Sequence, residues 1–419
     1  MNLKLSLCLL VISISLSSNS QGQASPPINQ NQPQIEVIFP QLFSRYTGAN
    51  GYEDLVLAGD LIRSSPAQAH QDDAVTLAQK RRVVQDEKVS RAIQMVHEAV
   101  QKPIINPRDL GKMDENTTFK EFSLFRNIAR MMAIKEYVLL ADGYVGAAID
   151  VMFDGMKMAN GIQKGTLIAG LVGIAIDAIM TQPIAKHFDQ LSVRNCDQIL
   201  GAVRQALEWD SGALQMFNVE QGLNLKSVEA MKDKAKLDEF LKTSFANPNQ
   251  PSAEELVENA ENQPLRDQAA RSQEALDSLI DEAVSLSKKQ YALAKANLDL
   301  PYFKRAKITE PDPRSSLAAL LYSKSYFTMT NALNKYTQFE AMLHLLGTHA
   351  SIMKYEWNHN ALPGSLKDLE TDRLYSPEIV YDPFTGKPLI YKLIGKQYDL
   401  SSAGADGAGY YLPFRKKTL

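Results

Sequence analysis

Leu362-Pro-Gly-Ser-Leu-Lys-Asp-Leu369, Tyr381-Asp-Pro-Phe-Thr-Gly-Lys-Pro-Leu-Ile-Tyr391 and Gln397-Tyr-Asp-Leu-Ser-Ser-Ala-Gly-Ala-Asp-Gly407 follow one another in this chain. Each has a local reading. Ser365 with Asp368 opens a short helix, because a serine hydroxyl and a carboxylate three residues on satisfy each other's orphan amides. Asp382-Pro383 pre-sets a tight turn, with Gly386 available for positive φ. Lys387 to Leu393 and Gln397 to Ser402 are strand-like runs around Ile394-Gly395-Lys396, which makes a β-hairpin. A glycine-rich segment follows.

Upstream the period changes. Arg314 to Trp357 reads as one long helix. Tyr336, Phe339, Leu343, Leu346, Ala350, Met353 and Trp357 alternate by three and four, a heptad seam. Three heptads suffice for a coiled coil, but the expected partner is the small sheet. Residues 49–300 read as a helical body. Val89, Ile93, Val96 and Val100 share one face. Thr118 with Glu121 forms a capping-box pattern ahead of Phe122, Phe125, Ala129 and Met132. Ala141-Asp142-Gly143 then turns the chain into a second helix, a hairpin like a single tetratricopeptide-type unit. Thr166 to Ile176 is apolar all round, with Gly170 and Gly173 inside, so a buried core helix with close neighbours is expected and a membrane span is the alternative. Ser192 to Trp209 is a further helix, Val219 to Phe245 a more polar one. Residues 246–252 are a loop, with Ser252 and Glu255 capping the next element. Leu276, Leu279, Ala283 and Leu286 mark an amphipathic helix, and prolines in 300–313 break it.

The fold class is therefore mainly α: a multi-helix bundle or array with a small C-terminal α+β unit of long helix, short helix and hairpin. Residues 1–24, with Lys4, an apolar run and a small-residue end, have the layout of a secretory signal peptide, with a retained N-terminal anchor as the alternative. Residues 25–48 are an extended lead-in and 301–357 a linker plus the long helix. Export to the periplasm or the medium is the expected location, with no stable membrane span once the signal is removed. Cys8 lies inside the apolar run, which leaves Cys196 alone and excludes an intramolecular disulfide. With net charge −3 and no basic block, nucleic-acid binding has no electrostatic support.

Trp357 through Gly409 resembles the C-terminal part of type II secretion pseudopilins, in which a long helix packs on a small antiparallel sheet. The resemblance marks residues 358–419 as a pseudopilin-like hairpin unit. Two departures accompany it. No prepilin cleavage site is present, and the long helix is internal without an apolar membrane half, so a filament subunit is not implied. In the major pseudopilins this region holds calcium. Ser401, Ser402 and Asp406 stand at matching positions, but Gly409-Tyr-Tyr-Leu-Pro replaces the acidic run, and calcium wants six to eight oxygens. The alternative for Asp406 is a turn aspartate bonding its own backbone. The chain also resembles an uncharacterised group of exported bacterial proteins, through Asn50-Gly-Tyr-Glu-Asp-Leu55, Ile128-Ala-Arg-Met-Met-Ala133, Leu171-Val-Gly-Ile-Ala-Ile176, and Leu362-Pro363 with Asp382-Pro-Phe-Thr-Gly-Lys-Pro388. That likeness implies architecture and no chemistry.

Motifs for catalysis are sparse. No Gly-x-Ser-x-Gly elbow, phosphate loop, dinucleotide fingerprint or His-Glu-x-x-His occurs, so no cofactor is implied. His344 and His349 are five apart and turn to different helix faces. The best polar set is Arg126, Arg130, Glu136, Asp150, Asp154 and Asp177. Arg126 and Arg130 share a face, as do Asp150 and Asp154. If their helices pack together, the set lines a pocket for a small polar ligand. Alternatively Asp177 is a buried carboxylate neutralised by an arginine, and losing one partner would cost roughly 3–5 kcal/mol. Three functions fit: a non-enzymatic scaffold that binds another envelope protein or a small polar ligand, an assembly component docking through its tail, or a carboxylate-dependent hydrolase.

Overall fold

The computed structural model describes residues 38–67, 76–113, 117–244, 267, 272–309, 312, 316–324, 329–371, 377–407 and 409–412. Residues 38–419 form one compact unit. The signal-peptide reading, residues 25–37 of the lead-in, the 246–252 loop and the Ser252–Glu255 cap lie outside the described residues.

The helices are α1 (Phe39–Leu42), α2 (Gly51–Arg63), α3 (Leu77–Gln85), α4 (Glu87–Ala99), α5 (Glu121–Ala141), α6 (Val145–Ile162), α7 (Leu167–Ala185), α8 (Val193–Leu207), α9 (Ala213–Ala230), α10 (Lys234–Ser244), α11 (Gln273–Leu298), α12 (Leu317–Lys324) and α13 (Met329–His359). A two-stranded antiparallel sheet, β1 (Ile390–Ile394) and β2 (Gln397–Ser401), follows. The protein is thus mainly helical with a small C-terminal sheet. The lead-in is not extended throughout, because α1 folds within it and Ile38 is buried in the main core.

Local signals set many of the boundaries. Ser192 and Asn195 form a reciprocal cap on α8, and the Asn50 side chain caps α2 by accepting from the Tyr52 amide. Gly143 takes φ 80° in the turn that joins α5 to α6. The Thr118–Glu121 pattern fails as a cap. α5 starts at Glu121 behind an uncapped Lys120, and the Glu121 carboxylate points inward instead.

Among the described residues, three apolar clusters hold the unit. The main one joins α2 to α8, the middle of α13 and the tail, with Leu366, Leu369, Ile379, Val380, Leu389 and Leu400 built into it. A second cluster lies among α9, α10, α11 and α12, around Val228, Leu276, Ile280 and Leu321. A third, with Leu167, Met216, Phe217, Tyr291 and Leu333, joins α7, α9, α11 and the start of α13.

α7 is long and apolar enough to cross a membrane by length and composition, and 61% of its span is buried within the protein. Its glycines allow close neighbours. A Cβ at Gly173 would stand 2.9 Å from the Ala159 carbonyl oxygen of α6, and one at Gly170 2.5 Å from the Tyr336 hydroxyl of α13. The helix runs straight through Asp177, which is buried with it.

The heptad seam does not describe α13. Every residue from 341 to 352 is buried, so this middle stretch of the helix is enclosed on all sides rather than along one stripe. It packs chiefly against α8, and against α7 and the tail. His344 Nδ1 lies 2.6 Å from the Tyr381 carbonyl oxygen, Thr348 donates to the Ile379 carbonyl at 3.0 Å, and His349 Nδ1 lies 2.8 Å from the Tyr398 hydroxyl. The two histidines thus both grip the tail. The hairpin turns through Gly395-Lys396, with Ile394 opposite Gln397 and Gly395 at φ 61°.

Candidate functional site

The polar set expected to converge is spread out. Asp154 on α6 meets His97 of α4, with Oδ2 and Nδ1 2.7 Å apart. Burial raises the Asp154 carboxyl, and the His97 bond offsets part of that rise. Asp150, one turn earlier, is exposed and accepts from Gln198 at 2.6 Å. Arg130 is exposed and donates to Asn127 at 3.0 Å. Arg126 is half-buried, and burial lowers its pKa, with Arg130 adding to the effect.

Asp177 and Glu136 differ from the rest. Both side chains are enclosed, at 1% and 0% exposure. Asp177 Oδ1 and both Glu136 oxygens have no hydrogen-bond partner among the described residues. Burial alone pushes each well above the ordinary carboxylate range, so both are held as neutral acids. Among the described residues no arginine pairs with Asp177. The reading of a paired carboxylate is corrected: protonation does the work expected of a cation.

A polar network that sequence reasoning missed lies where α2 begins. Asn50 Nδ2 donates to the Ile105 carbonyl, and its Oδ1 accepts from the Ile105 amide. Gly51 sits so close to the Ala99 carbonyl that a Cβ would overlap it. Tyr52 donates to Glu121 at 3.0 Å inside the core. Glu53 accepts from the Thr47 hydroxyl and from the Thr47 and Gly48 amides. Burial tends to raise its carboxyl, and these bonds together bring it below its ordinary value. Asp54 accepts from Tyr46 and Lys102, each at 2.7 Å. The Asp54 bond is the main cause that raises the Lys102 pKa.

Arg108 completes this network. Its guanidinium forks onto the two Glu121 oxygens, one contact at 3.0 Å, and also reaches the Thr118 carbonyl at 3.1 Å. It lies 4.8 Å from the Phe119 ring centroid. Beside it opens a cleft of about 290 Å³, lined by Ile38, Leu42, Pro107, Arg108, Lys120 and Glu121. The signal for this site was the run from Asn50 to Asp54, five positions of which each proved to need a separate tertiary partner.

In the tail, Ser402 and Asp382 form a second knot. The Asp382 carboxylate, 1% exposed, accepts from the Phe384 amide, the Ser402 hydroxyl and the Ala403 amide at 2.9, 2.9 and 2.7 Å. Ser401 is buried at the end of β2, and Asp406 lies in the turn Ala405–Gly407, its side chain outside the described residues. The Ser402 hydroxyl is already engaged with Asp382 and the Gly404 amide. Among the described residues no group of three His, Cys, Asp or Glu side chains has metal-binding geometry.

The buried thiol offers no nucleophile. Burial pushes Cys196 up to about 12, and burial lowers His349 well below the ordinary histidine value. Both are neutral near pH 7, which is the wrong state for a thiolate–imidazolium pair. No protein-family model, no curated protein and no solved structure matches the chain.

Proposed function

We propose that the protein is an exported, non-enzymatic helical scaffold that binds another envelope protein. One observation carries the reading. The most strongly shifted acids, Glu136 and Asp177, are sealed between packed helices, whereas a reactive acid or base must face a reactant. The Arg108 cleft supports the same reading, since its guanidinium is spent on Glu121 and Thr118. Export rests on the layout of residues 1–24. A second reading, docking through the tail, is favoured by exposed Ile390, Leu393 and Ile394 on the hairpin.

The test is affinity capture with the tagged full chain in envelope extract, beside a broad hydrolase screen. The expected result is a partner retained in fixed ratio and no turnover. Hydrolysis that disappears in Asp177→Asn or Glu136→Gln would overturn the reading.

A further inference from the structure

Past Leu389 the outer edge of β1 has no backbone partner among the described residues, as the hydrogen-bond parity of the hairpin shows. In an antiparallel ladder, residues alternate between bonding to the paired strand and pointing away from it. The two-residue turn makes Ile394↔Gln397 a bonded pair, and Lys392↔Asp399 and Ile390↔Ser401 follow. Leu389, Tyr391 and Leu393 therefore direct N–H and C=O away from β2. Leu389 uses this outward amide, which donates to the Val380 carbonyl at 2.7 Å, next to the bridge between Tyr381 and Pro388. Beyond that point, Tyr391 and Leu393 make no backbone hydrogen bond on this side among the described residues. The apolar side chains there are uncovered: Ile390, Leu393 and Ile394 are 43%, 47% and 52% exposed.

We infer that the outer edge of β1 takes up an extended segment of another protein, one with a carboxylate side chain between apolar residues, and so continues the pairing that Val380 begins. This rests on the binding-protein reading above. Charge selects the occupant. Lys387, Lys392 and Lys396 are exposed along the strand and its flanks, while Asp399 faces Lys392 from the opposite side, on β2. A second copy is a poor fit. The one antiparallel register that uses Tyr391 and Leu393 of both copies sets Lys392 directly against Lys392 of the other copy, and like charges in that position repel. An acidic residue opposite Lys392, with apolar neighbours beside Ile390 and Ile394, satisfies the charge, the exposed side chains and the open backbone together.

The probes are two short peptides that alternate threonine and valine, one with a central glutamate and one with a central lysine. Each is titrated against the full chain by fluorescence anisotropy and by hydrogen–deuterium exchange over residues 389–401. The glutamate peptide should bind about three- to tenfold tighter than the lysine peptide and slow exchange at Tyr391 and Leu393. Leu393→Pro removes an outward N–H without touching the β1–β2 ladder, so it should abolish this protection while circular dichroism stays unchanged. Lys392→Glu should reverse the peptide preference. The inference is overturned by unslowed exchange at millimolar peptide, by equal affinity of Leu393→Pro, or by self-association of the wild type that Leu393→Pro removes. Should an envelope partner stay bound to Leu393→Pro, the scaffold reading stands and only this surface is lost.

Discussion

Replacing Glu136 should make the protein more stable. Its two carboxyl oxygens are enclosed without partners among the described residues, and burial alone favours keeping the proton on. An unsatisfied buried polar group costs about 1–3 kcal/mol. Holding the proton adds a cost that grows with pH. The folded-state pKa is raised, so this carboxyl's contribution to stability is fully present below the unfolded carboxylate range. It is lost as pH rises toward the folded value, because the unfolded chain releases a proton that the native state keeps. The slope is at most about 1.4 kcal/mol per pH unit for one proton. Two variants separate the two costs. Glu136→Gln keeps the shape and polarity but cannot ionise, so its advantage over the wild type should be near zero at pH 4 and grow toward pH 8. Glu136→Leu removes both costs and should gain roughly a further 1–3 kcal/mol at every pH. Urea unfolding midpoints measured from pH 4 to 8 read both effects. A Glu136→Gln advantage that does not change with pH, or a Glu136→Leu protein less stable than the wild type at pH 8, would refute the neutral buried acid.

Glu121→Gln should destabilise by roughly 1–3 kcal/mol in urea titrations, because the partly buried Arg108 loses its charged partner and keeps the Thr118 carbonyl, and the Glu121→Leu, Arg108→Met pair should recover most of the loss. Gly51→Ala should cost about 1–3 kcal/mol in thermal unfolding, since the new Cβ overlaps the Ala99 carbonyl and shifts the start of α2; wild-type stability would show that this close approach is not required. Cys196 should resist Ellman's reagent in the native protein at pH 8 and react fully in guanidinium, and rapid native labelling would contradict its burial. Removing residues 362–419 should leave a body that binds a hydrophobic dye and lacks near-ultraviolet circular dichroism, because the tail supplies Leu366, Ile379, Leu389 and Leu400 to the main core.

The sequence was most legible where the cause of structure is local. Val89, Ile93 and Val96 face the core as their spacing requires, Ser192 caps α8, and Gly395 marks the hairpin turn. Ser365 and Asp368 bond as expected, the serine amide donating at 2.9 Å. Legibility failed where a partner is distant in the chain. Glu121 fits the capping spacing with Thr118, yet Tyr52 and Arg108 draw it inward, and no three-residue window contains them. Asp382 was legible as a turn residue, but its clasp on Ser402 and Ala403 joins segments that only the fold brings together. The α13 seam misled for a related reason. An apolar stripe predicts one buried face, but His344, Thr348 and His349 are also buried because the tail gives them bonds, and Ser351 is buried with its hydroxyl on the Gly347 carbonyl of its own helix. Asp177 carried no sequence sign that its burial would be met by a proton rather than an arginine.

The enclosure of α13 orders events during synthesis. α7 and α8 leave the ribosome long before residues 341–352, which lie across them, and the clasps of His344, Thr348 and His349 need residues that come later still. A nascent chain that has reached α8 therefore holds a half-built interior facing water, and cannot settle into its final form until the hairpin is made. Were the chain exported as proposed above, this delay would keep it loose during transit and postpone commitment to the far side.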